Sequence, residues 1–384
     1  MAPFNSSDVE RPSLDVIRRL TDVHVMGHLM ETELLTRSQI AVKTGISKPT
    51  VSESIRRLGA EGRVTESGQQ AGGRGRSGIY YRLSDELGVA LAMHAGPEGV
   101  LAEVVDLRGR VIFKAAEDVQ VPSTPRRLAA AIERVARAAT ESVPVRMLAV
   151  SMSVADPFDQ RTGRIRNLPN SPFLVGELRP YAVLARVGIQ RDIVLVDNDT
   201  NFGAIAEHRA GAGQGLDDFG FLWLGAGIGL GLIMNGALHR GWTGLAGEIW
   251  QTVTHGPNGA AMNLAECFAQ LGLRPGTVGT TAIDVDLLNT ILQSNAPKDL
   301  VIQEAVIDAV TTAIVNVASL INPKAVIIAG PWADYGHLRR RISERIQQSA
   351  IPADIRQPRV KGNPFLVGAR LDALDRARRS VLYH

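Results

Sequence analysis

The chain has 384 residues, of which 45% are hydrophobic and 21% charged, a composition that fits a globular protein of two or three domains and excludes a disordered chain. We see no apolar segment approaching the roughly 20 residues of a membrane span, and the first residues lack the pattern of an export signal, so we expect a cytoplasmic protein. The single cysteine, Cys267, excludes an internal disulfide and a multi-cysteine zinc site.

The net charge of +3 is unevenly distributed along the chain. Residues 37–82 contain nine basic and three acidic residues, so this segment carries +6 and the remainder carries −3. A small basic module joined to a mildly acidic body predicts that nucleic acid contacts the N-terminal part of the chain.

Two short helical patterns flank a glycine in the basic segment. Thr36 and Ser47 stand where helix N-caps are expected, and Gly45 falls at the turn between the helices. The preceding "LDVIRRLTDVHVMGHLM" predicts a supporting helix, and "RVTESG" and "IYYRL" predict two strands joined by a glycine-rich tip. Residues 1–83 are therefore predicted to form a winged helix-turn-helix.

The second helix of this motif leaves polar side chains off its apolar face. Hydroxyl and basic groups near a helix N-terminus suit the major groove of DNA, and arginines on a glycine-rich wing suit the minor groove. The alternative is a small helical domain with a solvated basic face, but caps, turn glycine, wing and charge agree on DNA binding. The predicted DNA-contacting residues are Ser47, Lys48, Thr50, Ser52, Arg56, Arg74 and Arg76.

Residues 84–384 divide into two similar α/β halves, after a polar segment, "SDELG", that we expect to be a joint. In each half, strand runs separated by glycine turns lead to a helix and then to a buried strand. This approximate duplication predicts two lobes with a cleft between them. Lobe one is expected to span about residues 84–199 together with the C-terminal helix, and lobe two about 200–365.

Four motifs follow one another in the body: "VDNDTNFGAIAEH", "GAGIGLGLIMNGALHRG", "GLAGEIWQ" and "INPKAVIIAG". In this order behind a winged helix, they resemble the ROK family of sugar-responsive repressors and sugar kinases. The resemblance covers nearly the whole chain, and it implies the actin-like, two-lobe ATPase fold. Any one glycine motif is weak evidence, whereas the ordered set is specific.

The phosphate-binding turns depart from the family pattern. In "MHAGPEG", His94 stands where kinases of the family have an aspartate, and a neutral imidazole is a poor partner for Mg²⁺. Pro97 removes an N–H group, and Glu98 repels phosphate. In the second turn, Ala226 replaces a threonine. We expect no nucleotide cofactor, since alternating glycines in a hairpin need no ligand.

The sugar side of the cleft is better preserved. The resemblance implies that Asn198 and Asp199 bind sugar hydroxyls, with Asp199 acting as a hydrogen-bond acceptor where a kinase has its general base. The alternative for both is a cap on the following helix. The full set of matched positions is Asn167, Asn170 (a glycine in the family), Asn198, Asp199, Glu248, Gln251 (a histidine in the family) and Glu266.

The zinc motif of the family is missing. The family pattern needs a histidine followed by three cysteines, whereas this chain has Gln251 and none of the cluster cysteines. We therefore expect no metal. Because the zinc braces the segment that carries the last glutamate, the positions of Gln251 and Glu266 stay open at this stage.

Together these patterns predict a DNA-binding transcriptional regulator, a repressor and a homodimer, rather than an enzyme. Its expected partners are operator DNA and a small sugar-like effector, with no membrane involved. Two alternatives stay open. One is a carbohydrate kinase with a DNA-binding appendage, and the other is a regulator with a vestigial cleft that responds to a partner protein.

Overall fold

The computed structural model describes residues 14–69, 78–166, 173–274, 282–335 and 337–383. At its N-terminus three helices and a three-stranded antiparallel sheet of order β1-β3-β2 form a winged helix, as predicted. The elements are α1 (Leu14–Glu31), β1 (Leu35–Thr36), α2 (Arg37–Thr44), α3 (Lys48–Ala60), β2 (Val64–Gln69) and β3 (Ile79–Leu83).

Local hydrogen bonds explain where the helices of the helix-turn-helix begin and end. The Thr36 hydroxyl accepts from the Gln39 amide (3.3 Å), and the Gln39 side chain accepts from the Thr36 amide (2.8 Å), which closes a capping box. Gly45 ends α2 with a φ of 70°, a conformation that favours glycine. Ser47 caps α3 by accepting from the Thr50 amide (3.4 Å). Both predicted caps are present.

Lobe one is built on a five-stranded sheet of order β10-β7-β4-β5-β6. Strands β4, β5 and β6 form an antiparallel meander. Strand β7 pairs parallel with β4, and β10 pairs parallel with β7. The elements are β4 (Val89–Gly96), β5 (Gly99–Asp106), β6 (Val111–Glu117), α4 (Pro125–Glu141), β7 (Met147–Val154), β8 (Phe158–Asp159), β9 (Arg164–Ile165), α5 (Pro180–Ala185) and β10 (Val194–Asn198).

Lobe two repeats this plan with a sheet of order β13-β12-β11-β16-β17, in which antiparallel strands lead to parallel ones. Its elements are α6 (Asp199–Ala210), β11 (Phe219–Leu224), β12 (Ile228–Met234), β13 (Ala237–Leu238), β14 (Val253–His255), β15 (Ala261–Asn263), α7 (Leu264–Gln270), α8 (Val285–Gln293), α9 (Pro297–Ile321), β16 (Ala325–Ala329), α10 (Leu338–Gln347) and β17 (Asp354–Arg356).

A last helix, α11 (Pro364–Tyr383), returns to lobe one and ties it to the winged helix. Its buried Ala377 and Val381 share one hydrophobic core with Val25 and Leu29 of α1. The segment after Leu83 therefore connects two parts of the chain that share a continuous hydrophobic core. The winged helix is packed firmly on the body.

Helix α9 corrects one expectation. It has 25 residues, and its most apolar window has a mean hydropathy of 1.6, which is enough by length and composition to cross a membrane. However, Val306, Val310 and Ile314 are buried in the core of lobe two, and 44% of the window is buried. A single helix with one face packed in a protein core is weak evidence for a membrane span.

Candidate functional site

A cavity of about 260 Å³ lies between the two lobes, and we call it the cleft cavity. It opens where parallel strands of both sheets end: after Val154 of β7, Asn198 of β10, Leu224 of β11 and Ala329 of β16. Ligands of open α/β sheets bind at such carboxyl ends, because the loops there are free to carry different side chains. The fold therefore places the cavity where a binding site is expected.

Four carboxylates line the cleft cavity: those of Glu98, Asp156, Asp199 and Glu248. Among its described lining residues there is no lysine, arginine or histidine. Burial raises the pKa of Glu248 to about 7, and the charge of Asp156 adds to this effect. Burial also raises the pKa of Asp199 well above its usual range, with help from the other three carboxylates and against the hydrogen bond from the Thr200 amide.

Aromatic side chains form much of the remaining wall. Trp223, Trp250 and Phe365 all line the cavity, and the rings of Trp223 and Phe365 meet edge to face with centroids 4.7 Å apart. Flat apolar surfaces next to a few hydrogen-bonding groups suit the C–H faces and hydroxyl edges of a sugar ring.

The structure brings four of the sequence-predicted effector residues to the cavity: Asn198, Asp199, Glu248 and Gln251. Asn198 is also the N-cap of α6, since its side chain accepts from the Thr200 amide (3.0 Å). Asp199 accepts from the same amide through Oδ1 (2.6 Å) and is only 8% exposed. The two side chains thus have the capping role that we weighed and still line the cavity.

Three other predicted positions are not part of the observed wall. Asn167 and Asn170 lie outside the described residues. Glu266 is exposed and does not line the cavity; its carboxylate accepts from the Asn263 amide (3.2 Å) and closes a capping box on α7. The β14–β15 hairpin and this capping box hold the segment that zinc braces in the family.

Sequence reasoning missed several residues of the wall. Asp156 follows the buried strand "MLAVSMSV" directly, and a polar residue at that point is a usable signal. Trp223, Trp250 and Phe365 gave no signal, because isolated aromatic residues in apolar segments look like ordinary core residues. Glu98 was noticed only for its repulsion of phosphate.

The glycines of the second turn have a packing role. A methyl group on Gly231 would lie 2.2 Å from the Thr200 carbonyl oxygen, and one on Gly229 would lie 2.7 Å from the Thr200 methyl carbon. These glycines let β12 cross the beginning of α6 at close range. The Trp332 indole donates to the Gly225 carbonyl (2.9 Å), so this carbonyl of the turn is also bound within the protein.

His94 is fully buried beside the first turn. Its Nε2 lies 3.2 Å from a Glu98 carboxylate oxygen, and its Nδ1 lies 3.0 Å from the Ser153 hydroxyl. Burial raises the pKa of Glu98, but the hydrogen bond and charge of His94 outweigh it, so the net pKa is below the usual range. The position that holds an aspartate in the kinases is thus occupied by an imidazole engaged with a glutamate.

Helix α3 and its N-cap Ser47 carry five of the seven predicted DNA-contacting residues. Lys48, Thr50 and Arg56 are exposed, and Ser52 is half-buried. The Ser47 hydroxyl lies 2.7 Å from that of Thr50, so these two groups are already oriented by each other. The wing residues Arg74 and Arg76 lie outside the described residues.

Two neighbouring arginines of α3 have different environments. Arg56 makes an exposed, two-bonded ion pair with Glu53 (2.6 and 3.0 Å). Arg57 turns inward and binds the Asp22 carboxylate of α1 through two bonds (2.7 and 3.1 Å). An exposed pair is weak and easily exchanged for a phosphate contact, whereas the Arg57 pair joins two helices. Because Arg57 is engaged with Asp22, fewer basic side chains of the N-terminal segment are available to DNA than the sequence contains.

Two segments of the chain match known families. Residues 91–361 match the ROK family, which covers most of the chain. Residues 18–65 match a winged helix-turn-helix DNA-binding family, and this range contains α1, α2 and α3.

Relatives of known sequence include both repressors and kinases. The xylose repressor of Caldicellulosiruptor bescii is 23% identical over 366 residues, which cover 88% of this chain and 90% of the repressor. The glucokinase of Streptomyces coelicolor is 30% identical over 162 residues, which cover 42% of this chain and 49% of the kinase. The match with the repressor is therefore much longer than the match with the kinase.

Solved structures with this fold also include both transcriptional regulators and sugar kinases. A ROK family transcriptional regulator, a homolog of the E. coli MLC protein, superposes with a TM-score of 0.65 at 17% identity and covers 95% of this chain and 98% of its own. A ROK glucokinase from Streptomyces griseus, in complex with glucose and AMPPNP, has a TM-score of 0.56 at 25% identity and covers 75% of this chain and 100% of its own. The chain thus belongs to the ROK family, as a DNA-binding transcriptional regulator in which a winged helix-turn-helix precedes the two-lobe body.

Proposed function

We propose that this protein is a repressor whose hold on operator DNA is controlled by a monosaccharide-sized effector in the cleft cavity. The observation that carries the proposal is the wall of the cavity, where Asn198, Asp199, Glu248 and Gln251 supply hydrogen-bonding groups beside aromatic rings. A volume of about 260 Å³ lies just below the range of roughly 300–1,000 Å³ for drug-sized ligands, so it suits one sugar ring.

The same wall argues against a kinase. A nucleoside triphosphate carries several negative charges. The described residues that line the cavity include four with carboxyl side chains and none with a basic side chain, so they oppose its binding. His94 is buried against Glu98 and Ser153, and the glycines of the second turn are needed for packing on Thr200. One observation favours the kinase alternative: Asp199, at the position of the family's general base, lines the cavity.

Helix α11 offers a direct route from the cavity to the DNA-binding domain. Phe365 in its first turn lines the cavity, and Arg378 near its end donates to the Leu107 carbonyl (2.8 Å) and the Met30 carbonyl (3.4 Å). A helix of 20 residues spans about 30 Å, so a small shift at one end is carried to the other. An effector that favours one arrangement of the lobes thus changes the position of the winged helix.

A regulator of this kind acts in the cytoplasm as a homodimer, since a pair of winged helices related by two-fold symmetry reads a palindromic operator. In such a dimer, the effector would act by changing the distance between the two α3 helices. Analytical ultracentrifugation with and without operator DNA tests this part of the proposal; a monomer under both conditions contradicts it.

The test of function combines stability and enzymology. Thermal unfolding of the full chain is followed with a panel of neutral sugars, amino sugars, N-acetylated sugars, sugar phosphates and Mg²⁺–ATP. The proposal expects a higher melting temperature with at least one sugar and no change with Mg²⁺–ATP. Sugar-dependent consumption of ATP would support the kinase alternative, and no response to any sugar would leave the cleft without an effector.

A further inference from the structure

The charge of the cleft cavity narrows the class of effector. Glu98, Asp156, Asp199 and Glu248 line one small space, and the described lining residues include no lysine, arginine or histidine. The imidazole of His94 lies behind this wall and contacts only Glu98 among the four carboxyl groups in the hydrogen bonds of the described residues (3.2 Å). A neutral sugar would supply only hydroxyl dipoles to this wall, and a sugar phosphate would add repulsion.

Asp199 provides a second, independent indication of a ligand. It is only 8% exposed, and its Oδ1 is used by the Thr200 amide (2.6 Å). Its other carboxylate oxygen has no hydrogen-bond partner within the described part of the chain, although Asp199 lines the cavity. Because this oxygen belongs to a mostly buried side chain on the cavity wall, a ligand donor can reach it there with little competition from bulk water.

The aromatic part of the wall favours the same chemistry. Trp223 and Phe365 line the cavity, and within the described residues no arginine or lysine stacks on either ring. Aromatic rings attract cations, and the attraction is strongest where water is excluded. Carboxyl groups beside aromatic rings that carry no arginine or lysine among the described residues form a better site for an ammonium group than for an amide or a phosphate.

We propose that the effector is an amine-bearing polyol of monosaccharide size, and that the carboxylates of Glu98, Asp156, Asp199 and Glu248 select its ammonium group. The ammonium donates hydrogen bonds to carboxylate oxygens, and the hydroxyls pair with Asn198 and Gln251 at the cavity wall. This inference rests on the proposed role of the cavity as the effector site.

The experiment is isothermal titration calorimetry on the full chain with matched ligand sets. Glucosamine, galactosamine and mannosamine are each compared with their N-acetyl derivative, their parent hexose and their 6-phosphate. We expect at least one free amine to bind about tenfold or more tightly than its three counterparts. The isosteric variant Glu98→Gln reduces this preference, because it removes a charge and keeps the shape. Glu266→Gln, which keeps a capping-box side chain outside the cavity, leaves the preference unchanged.

The outcomes separate this inference from the proposed function. Equal or tighter binding of a neutral, N-acetylated or phosphorylated sugar overturns the amine selection and leaves the effector role of the cavity standing. An amine preference that survives Glu98→Gln and Glu248→Gln together overturns the assignment to these carboxylates. Absence of binding by every member of the sets overturns both.

Discussion

Phe365 and Val381 lie near opposite ends of α11, and their side chains contact different parts of the molecule. Phe365 lines the cleft cavity, while Val381 is buried in the core that the winged helix shares with lobe one. The Val381 carbonyl also accepts a hydrogen bond from Arg63, which follows the helix-turn-helix. The cavity and the DNA-binding domain are therefore joined by one continuous element.

This relationship predicts the effect of Arg63→Ala. The variant removes the bond to Val381 and loosens the winged helix from α11, while the cavity is untouched. We expect effector affinity to stay within about twofold, and the effector-induced change in operator affinity to shrink severalfold from a normal coupling of about 5–150-fold. Fluorescence anisotropy on labelled operator, with and without effector, measures this coupling.

Arg379→Ala is the matched control, because Arg379 lies on α11 and pairs only with Asp375 of the same helix among the described residues. It is expected to keep the coupling intact. Full coupling in Arg63→Ala would exclude this contact from the route.

The two neighbouring arginines of α3 predict opposite phenotypes. Arg56→Ala is expected to weaken operator binding by roughly 1–3 kcal/mol and to leave stability almost unchanged, because it removes a predicted DNA contact and only an exposed ion pair. Arg57→Ala is expected to destabilise the protein by roughly 1–3 kcal/mol, because it removes the positive charge beside the mostly buried Asp22 carboxylate, which then keeps only the hydrogen bond from the Ser54 hydroxyl. Urea unfolding and operator titration of both variants distinguish the roles, and identical behaviour of the two would contradict the assignment.

Glu248 makes stability depend on pH. Its pKa in the folded protein is about 7 against an ordinary value of 4.5, so the folded state holds its proton more tightly than the unfolded state does. The resulting stabilisation is complete below about pH 4.5 and is lost as pH rises to about 7. Relative to Glu248→Gln, the native protein should lose up to about 3 kcal/mol over this window.

Urea unfolding at pH 5 and pH 8 checks this expectation, with Glu266→Gln as the control whose exposed carboxylate lies outside the cavity. An equal change in the free energy of unfolding for native protein and Glu248→Gln would show that this carboxyl is solvated rather than buried.

The glycines of the second turn predict a packing defect. In Gly231→Ala the new methyl group meets the Thr200 carbonyl at 2.2 Å, so β12 or α6 has to move, at a cost of roughly 1–3 kcal/mol. Gly27→Ala is the control, since no atom lies within 4 Å of the added methyl in α1 and the helix gains up to about 1 kcal/mol. Equal melting temperatures for native protein and Gly231→Ala would remove the packing explanation.

Most of the fold could be predicted from local chemistry. Thr36, Ser47 and Asn198 could be predicted as caps, because a short polar side chain directly before a helical pattern can accept a hydrogen bond from a free amide of the first turn. The binding site could be predicted only from the order of the family motifs, which pointed to Asp199 and Glu248.

The rest depended on tertiary packing. Asp156 and Phe365 come from distant segments, and only the folded lobes bring them to one cavity. Glu266 matched a family position, yet its carboxylate serves a capping box that begins with Asn263. The shared core of α1 and α11 was hidden for the same reason, because alanines such as Ala373 and Ala377 carry no signal of their partner.

The most direct test of the account is the affinity of the full chain for its operator, titrated with the sugar that stabilises the protein. The account predicts that this sugar changes the dissociation constant by at least about fivefold, that Asp199→Asn abolishes the response while basal operator affinity persists, and that Mg²⁺–ATP has no effect. An operator affinity that no cavity ligand alters, or one that responds equally in Asp199→Asn, would contradict effector control through the cleft.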